Sequence, residues 1–381
     1  MPPTRAERAT VVDIPYIDLV AQHAPLKAEL LQAVAGVIDH GQFVLGPEVA
    51  EFEHRFADLC GVPYAAGVSS GTDALVLALR ALGVGPGDEV ITVPNSFVAS
   101  VSCIELAGAR PVLVDVRDDY TIDPEKIPAA LSPRTKAILP VHLTGRPCDM
   151  DPLMAIARQH GLAVVEDCAQ AVTAEYAGRR VGSIGAIGCF SFHPLKTLSA
   201  LGDAGAITCH DAGLCERLKV MRNLGLRTRD DCVEWSGNSR LDAVQAAMLA
   251  VKLKYVDGWT ERRRRHAAEY RERLAGLPWI RIPEDGPTRK AVYHTLVVEA
   301  DDRDALRTCL SARGIGTAIH YPVPVHLTTA GRSLGYPAGS FPVAERQAAR
   351  IVSLPVYPEL TTSQIDRVCD AIRAFYADRR S

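Results

Sequence analysis

The chain has 381 residues, is 48% hydrophobic and 23% charged, and carries a formal net charge of −3. That length suits one large unit plus a smaller one, and the nearly balanced charge gives no electrostatic reason for nucleic acid or an anionic membrane to be the main partner. The opening MPPTRAERATVVDIPYIDL lacks the apolar stretch of a signal peptide, and no run approaches the roughly 18 apolar residues that span a bilayer.

The first predicted strand, Tyr64–Ser69, runs through Ser70 and Gly71 into a helix over Thr72–Leu82, with Leu75, Leu79 and Leu82 on one face. Free N–H groups at such a helix start, backed by the helix dipole, bind a phosphate dianion. The competing reading is a start capped by its own Ser, Thr and Asp side chains. Strands at Glu89–Pro94, Arg110–Asp115 and Lys136–His142 follow, and Phe97, just after the first of these, is a candidate to stack on a flat ring. A helix at Asp151–His160 leads to a strand at Leu162–Glu166, which ends on Asp167.

Beyond Asp167 come Gln170, a strand at Ala186–Phe192 carrying Ser191, then His193 and Lys196, and a strand at Gly205–His210. Strand–helix alternation, with several continuous apolar strands, predicts an α/β unit around a mainly parallel sheet. Ligands of such sheets bind beyond the carboxyl ends of the strands. From Arg240 to Leu277 the chain reads as long helix broken near Asp257-Gly258. A strand at Ala291–Ala300, a helix at Arg303–Arg313, a strand at Ile315–Tyr321 and a closing helix from Thr362 to Arg379 make a smaller α+β unit. The expected division is 1–255, a large unit with an N-terminal arm, and 256–381, a small C-terminal unit beginning with a bridging helix. The basic run Arg262 to His266 reads as a solvated or interface face.

A lysine after one buried-looking strand and an acid at the end of another suggest pyridoxal 5'-phosphate (PLP) chemistry. Lys196 would form a Schiff base, and Asp167 would keep the pyridine nitrogen protonated. A free lysine titrates near 10.4, so burial must favour its neutral form; the apolar neighbours Phe190, Phe192, Leu195, Leu198 and Leu201 suit that. The bland alternative is a surface lysine snorkelling out of an apolar turn. Gln170 could reach the ring oxygen, Ser191 the phosphate, and His193 the substrate or a proton. Ten cysteines, none in a C-x-x-C pair, suit buried thiols in a reducing cytoplasm rather than a metal site.

The runs SSGTDALVLALRALGVGPGDEVITVPNSF, PVHLTGRPCDMDPL, VVEDCAQA, GCFSFHPLKTLSALGDAGAIT and NSRLDAVQAAML together resemble the DegT/DnrJ/EryC1/StrS family of PLP-dependent sugar aminotransferases of fold type I, over residues 14–377. By motif, the resemblance implies Lys196 as the Schiff-base lysine, Asp167 as the pyridinium partner and Gln170 beside the ring hydroxyl. It implies Gly71, Thr72, Asp73 and Ser191 around the phosphate and Phe97 over the ring. Asn238 would reach the phosphate from the neighbouring subunit, and His193, His320, Tyr321 and His326 would face substrate. A cytoplasmic homodimer with shared sites is implied too, passing an amino group from L-glutamate to a ketosugar, expected to be nucleotide-linked, by a ping-pong cycle through pyridoxamine phosphate (PMP). HPLK with NLGLRTRDDCVEW resembles a subgroup acting on 8-keto octulosonate sugars. A sugar dehydratase of the family is disfavoured because those members carry histidine at the lysine, and a non-catalytic PLP-binding protein because Lys196, Asp167 and Ser191 are all present. Two departures, AQAVTA for AQAHGA and Ala204 for a glycine, remove no catalytic function and leave room for a differently shaped sugar pocket.

Overall fold

The computed structural model describes residues 12–379; residues 1–11, where the expected arm begins, lie outside the described residues. Its centre is a seven-stranded sheet of β1 (Tyr64–Val68), β2 (Glu89–Thr92), β3 (Arg110–Leu113), β4 (Thr135–Ile138), β5 (Ala163–Asp167), β6 (Ile187–Ser191) and β7 (Gly205–Cys209). The strand order is β1-β7-β6-β5-β4-β2-β3. The run β3-β2-β4-β5-β6 is parallel throughout. β7 joins it antiparallel, pairing β6 on one side and β1 on the other.

Both faces of the sheet are covered. On one, the helices Gly71–Ala81, Ala99–Leu106 and Met150–His160 bury Leu75, Leu79, Ile104 and Leu153 against Val90, Ile138 and Val165. On the other, the helices Lys27–His40, Pro47–Cys60 and Ala243–Leu253 pack over Phe190 and Phe192. There Phe56 meets Phe190 and Phe192 edge-on at centroid separations of 4.9 and 5.2 Å. The two-residue alternation of β6 decides the site. With Phe190 and Phe192 turned into the aromatic layer, Ser191 must face the opposite helix, at the start of Gly71–Ala81.

A third core joins Ile14 to Tyr270, Leu296, Leu306, Val352, Ile365 and Phe375. Here a three-stranded antiparallel sheet, β8 (Ile280–Arg281), β9 (Leu296–Ala300) and β10 (Ile351–Leu354), packs with the helices Val256–Leu274, Arg303–Ala312 and Thr362–Ala377. The last is fixed at its start by a reciprocal capping box of Thr361 and Gln364. The long helix breaks at Lys254-Tyr255, earlier than expected, and Gly258 lies inside the helix that follows. Ile315–Tyr321 is not a strand: only Ile315 and Ala318 make single bridges, to Ile14 and Ser353, and the segment runs on to the cavity described next. The basic run is not uniformly solvated either. Arg263 is 1% exposed, and its Nη1 donates to the carbonyls of Val356, Tyr293 and His294. Among the described residues no helix is long and apolar enough to cross a membrane.

Candidate active site

A cavity of about 320 Å³ lies beyond the carboxyl ends of β5 and β6. Gly71 and Thr72, Phe97 and Ser100, Asp167 and Gln170, Ser191 and His193, and Lys196 line the side formed by the seven-stranded sheet and the segments that follow its strands. His294, His320, Tyr321 and Val356 close it from the C-terminal side, with Tyr16 and Ile17 from the start of the chain. Of the residues singled out by sequence, Asp73, Asn238 and His326 are not in this lining. Asp73 sits one residue deeper in the helix: its N–H is bonded by the capping Ser70 Oγ at 3.1 Å, and its carboxylate accepts from Ser69 Oγ. Asn238 is exposed and bridges to Asn223. His326 is fully buried, hydrogen-bonded to Glu345 at 3.1 Å and edge-on to Phe341.

The helix start and Ser191 form a cradle of unusual closeness. A methyl group added at Gly71 would sit 2.6 Å from Ser191 Cβ and 3.1 Å from its Oγ. Gly71 therefore serves proximity: only without a side chain can the helix N-terminus reach the strand end. Gly205 acts alike from β7, since a Cβ there would lie 2.5 Å from the Ser70 carbonyl oxygen. The result is a cluster of N–H donors and one hydroxyl, with the helix dipole directed outward, suited to a phosphate dianion.

Asp167 ends β5 almost fully buried. Its Oδ2 accepts from Ser100 Oγ at 2.7 Å and its Oδ1 from the Ala169 N–H at 3.1 Å, while Ser96 Oγ lies 2.8 Å from Ser100 Oγ. Two donors thus fix the orientation of the carboxylate. Gln170 is fixed too: its Oε1 accepts from the Thr144 N–H at 2.6 Å, which turns its Nε2 toward the Tyr321 hydroxyl at 3.2 Å. Phe97 and Tyr321 stand with ring centroids 5.7 Å apart, tilted by 42°.

Lys196 borders the same cavity. Burial lowers its ammonium to about 8, partly opposed by the Asp167 charge, so much of it is neutral just above physiological pH. Among the described residues, nothing hydrogen-bonds or ion-pairs its Nζ. His320 is pushed down to about 4 by burial and then by Lys196, and His294 well below its ordinary 6.5 by the same two causes first. Both rings are therefore neutral at pH 7. His320 Nδ1 lies 2.9 Å from Ser353 Oγ, and its ring stacks on Tyr16 at 5.7 Å.

Sequence reasoning missed Ser96, Ser100, His294 and Tyr16. Ser96 and Ser100 flank Phe97 at helical spacing, and that was the available signal; nothing local marks His294 or Tyr16. Val172, Thr173 and Ala204, the departures from the family pattern, do not line the cavity. Thr173 instead takes a left-handed backbone (φ 68°) and bonds Thr260 at 2.7 Å in the interior. One buried group has ligand-like composition, His142, Glu166 and Cys168. Its carboxylate is already occupied by three backbone N–H groups, of Gly182, Ile184 and Gly185, and by His142 Nε2 at 3.0 Å. We read it as a structural brace.

These residues fit PLP: a phosphate cradle, a buried oriented acid, an aromatic pair and an unpartnered amine face one space. Comparison with known proteins agrees. The chain belongs to the DegT/DnrJ/EryC1/StrS aminotransferase family, whose profile matches residues 25–373. It is 47% identical to the dTDP-3-amino-3,4,6-trideoxy-alpha-D-glucose transaminase of Streptomyces venezuelae, covering 97% of each chain. It is 44% identical to the UDP-N-acetyl-3-dehydro-alpha-D-glucosamine 3-aminotransferase of Acidithiobacillus ferrooxidans, over 94% of this chain and 97% of that one. The crystal structure of S. venezuelae DesV in complex with a ketimine intermediate superposes with a TM-score of 0.93, at 47% identity over 95% of this chain and 98% of that chain. The protein is a fold type I, PLP-dependent sugar aminotransferase.

Proposed function

We propose that the chain aminates carbon 3 of a nucleoside-diphosphate-linked 3-ketohexose, with L-glutamate as amino donor, as a cytoplasmic homodimer. The observation that carries the chemistry is the unpartnered Lys196 amine sharing one cavity with the oriented Asp167 carboxylate. The choice of carbon is supported by the two relatives above, whose names both place the amino group at carbon 3 of a nucleotide-linked hexose. That favours a ketohexose over the 8-keto octulosonate alternative.

PLP, when bound, supplies an electron sink conjugated to the carbon that gains or loses the amino group. The chain supplies the rest. Gly71, Thr72 and Ser191 would hold the phosphate, with Asn238 of a second copy as a further donor. Asp167, kept in place by Ser100 and the Ala169 N–H, would hold a proton on the ring nitrogen. Gln170 would bond the ring oxygen, and Phe97 would stack on the ring. Lys196 would anchor the cofactor, and its free Nζ would take and return the proton at the substrate carbon, a task suited to a group titrating near neutrality. His193, His320 and Tyr321 face the sugar, with the imidazole of His320 neutral and able to donate or accept one hydrogen bond.

The test is a screen of nucleotide-linked ketohexoses with the keto group at carbon 3 or 4, alongside an 8-keto octulosonate, with glutamate, glutamine and alanine as donors. We expect turnover with the 3-keto substrates and glutamate. Preference for the octulosonate or for the 4-keto isomers would overturn the assignment. Light scattering with a mixed-variant assay, Lys196→Ala plus Asn238→Ala, tests the shared site: a heterodimer retaining one intact site should recover activity.

A further inference from the structure

The helix Ala243–Leu253, AVQAAMLAVKL, is apolar but for Gln245 and Lys252. These are seven residues apart, so they lie on one face, two turns from each other. That face meets the turn following Lys196. Gln245 Oε1 accepts from the Leu201 N–H at 2.9 Å. Lys252 Nζ donates to the Ser199 carbonyl at 2.6 Å and approaches Ser199 Oγ at 3.4 Å. Ser199 is only three residues beyond Lys196 and is itself 1% exposed.

The same amine has a second partner. His23 Nε2 lies 2.7 Å from Lys252 Nζ, while His23 Nδ1 lies 2.6 Å from the Leu19 carbonyl. A carbonyl can only accept, so Nδ1 carries the proton and Nε2 is left as an acceptor for the lysine. His23 belongs to the segment that brings Tyr16 and Ile17 to the cavity. Lys252 is 1% exposed, and among the described residues no carboxylate pairs with it. A buried ammonium without a counter-charge is costly. Such a group is a poor choice for stability alone, because a well-packed apolar residue would serve better there.

We propose that Lys252 is a positioning residue for Lys196: its buried amine pins the turn that carries the reactive lysine and joins that turn to the N-terminal segment on the opposite wall of the cavity. Besides the Leu201–Gln245 bond, the turn has few other polar restraints. Ala200 N–H reaches the Phe192 carbonyl at 2.7 Å and Lys196 N–H the His193 carbonyl at 2.8 Å, but the carbonyl of Ser199 has Lys252 alone among the described residues. Without that bond the segment from Thr197 to Leu201 is left with the Leu201–Gln245 bond alone as its polar tie to the helix beneath it, and the Lys196 Nζ is held less firmly relative to Asp167. This rests on the reading of Lys196 as the PLP-bearing lysine.

The test uses the full chain without cofactor, then with it. Hydrogen exchange of the apoprotein is compared for wild type, Lys252→Met, Lys252→Arg and His23→Leu, followed by the rate at which Lys196 captures added PLP. Lys252→Met should raise exchange about tenfold or more across 197–201 and across 16–23, and slow PLP capture by a similar factor. Exchange in β5 and β6 should not change. Lys252→Arg, which keeps the donors, should recover part of both effects. His23→Leu should loosen 16–23 and leave 197–201 unchanged, and it decides the matter if Lys252→Met does not fold. Exchange and capture within about twofold of wild type in Lys252→Met, or exchange raised equally through β5 and β6, would overturn the proposal. So would a His23→Leu variant that leaves 16–23 as protected as wild type. A phosphopyridoxyl label found away from Lys196 after borohydride would instead refute the PLP assignment, independently of the exchange data.

Discussion

Replacing Gly71 with alanine tests the phosphate cradle at its tightest point. The added methyl would stand 2.6 Å from Ser191 Cβ and 3.2 Å from Ser191 Cα, against about 3.5–4.0 Å for carbon atoms in contact. Ser191 cannot yield: it ends a central strand hydrogen-bonded to β5 and β7, with Phe190 and Phe192 locked in the aromatic layer on either side. The helix start must therefore retreat by about 1 Å, drawing its N–H groups away from the phosphate position. Losing one hydrogen bond to a charged group is worth about 1.5–3 kcal/mol, or roughly 10- to 150-fold in PLP affinity. Stability should fall by about 1–3 kcal/mol from overpacking, less about 0.5–1 for exchanging glycine for alanine in a helix. Titration of the apoprotein with PLP, with urea unfolding in parallel, reads both. The double variant Gly71→Ala, Ser191→Gly removes the two side-chain contacts and leaves only the Cα at 3.2 Å, so it should regain part of the stability while still binding PLP weakly for want of the hydroxyl. Wild-type PLP affinity in Gly71→Ala would show that this helix start is not the phosphate site.

Lys196→Ala should abolish turnover and leave PLP bound without a covalent link, as mass spectrometry after borohydride would report; activity near wild type would refute the role. Asp167→Asn preserves shape and the Ser100 contact but removes the charge, and kcat should fall by at least about 100-fold, roughly 2.7 kcal/mol of transition-state stabilisation; a loss under about fivefold would exclude Asp167 as the ring-nitrogen partner. His320 titrates near 4 in the folded chain and near 6.5 when unfolded. Between those values the unfolded chain binds the extra proton, so stability declines as pH drops from 6.5 toward 4. Urea midpoints of the apoprotein at pH 7 and pH 5 should show that decline, and His320→Asn should reduce it; identical declines in the two proteins would refute the shift.

Much of this architecture is written locally. The strands β1 to β7 fall within a few residues of the apolar, β-branched runs that mark them, and Lys196, Asp167, Gln170, Ser191 and Phe97 meet at one cavity, as their places at strand ends suggest. What escaped is long-range. Strands covered on both faces read as the same continuous runs whether parallel or antiparallel, so the reversed direction of β7 left no trace. Arg263 looked like part of a solvated basic run because its partners, the carbonyls of Tyr293, His294 and Val356, lie 30 to 93 positions away. Ile315–Tyr321 has the β-branched composition of a strand, yet it meets the edge of β10 only at the Ala318–Ser353 bridge, and its other neighbours are the start of the chain and the cavity. Gly71 reads as the entry to a helix and Gly205 as the first residue of a strand, whereas their use is to let two pieces of backbone nearly touch.

The bond from Gln170 to Tyr321 has one more implication. It joins the loop after β5 to the C-terminal segment, and its near end is the Gln170 side chain, three residues from Asp167, which also accepts from the Thr144 N–H. A sugar bulky enough to push Tyr321 aside must therefore tug on the stretch of chain that holds the acid. Discrimination between substrates can then appear as a slower reaction after binding, with affinity almost untouched, so that selectivity would be recorded in the speed of the chemistry more than in how tightly each sugar is held.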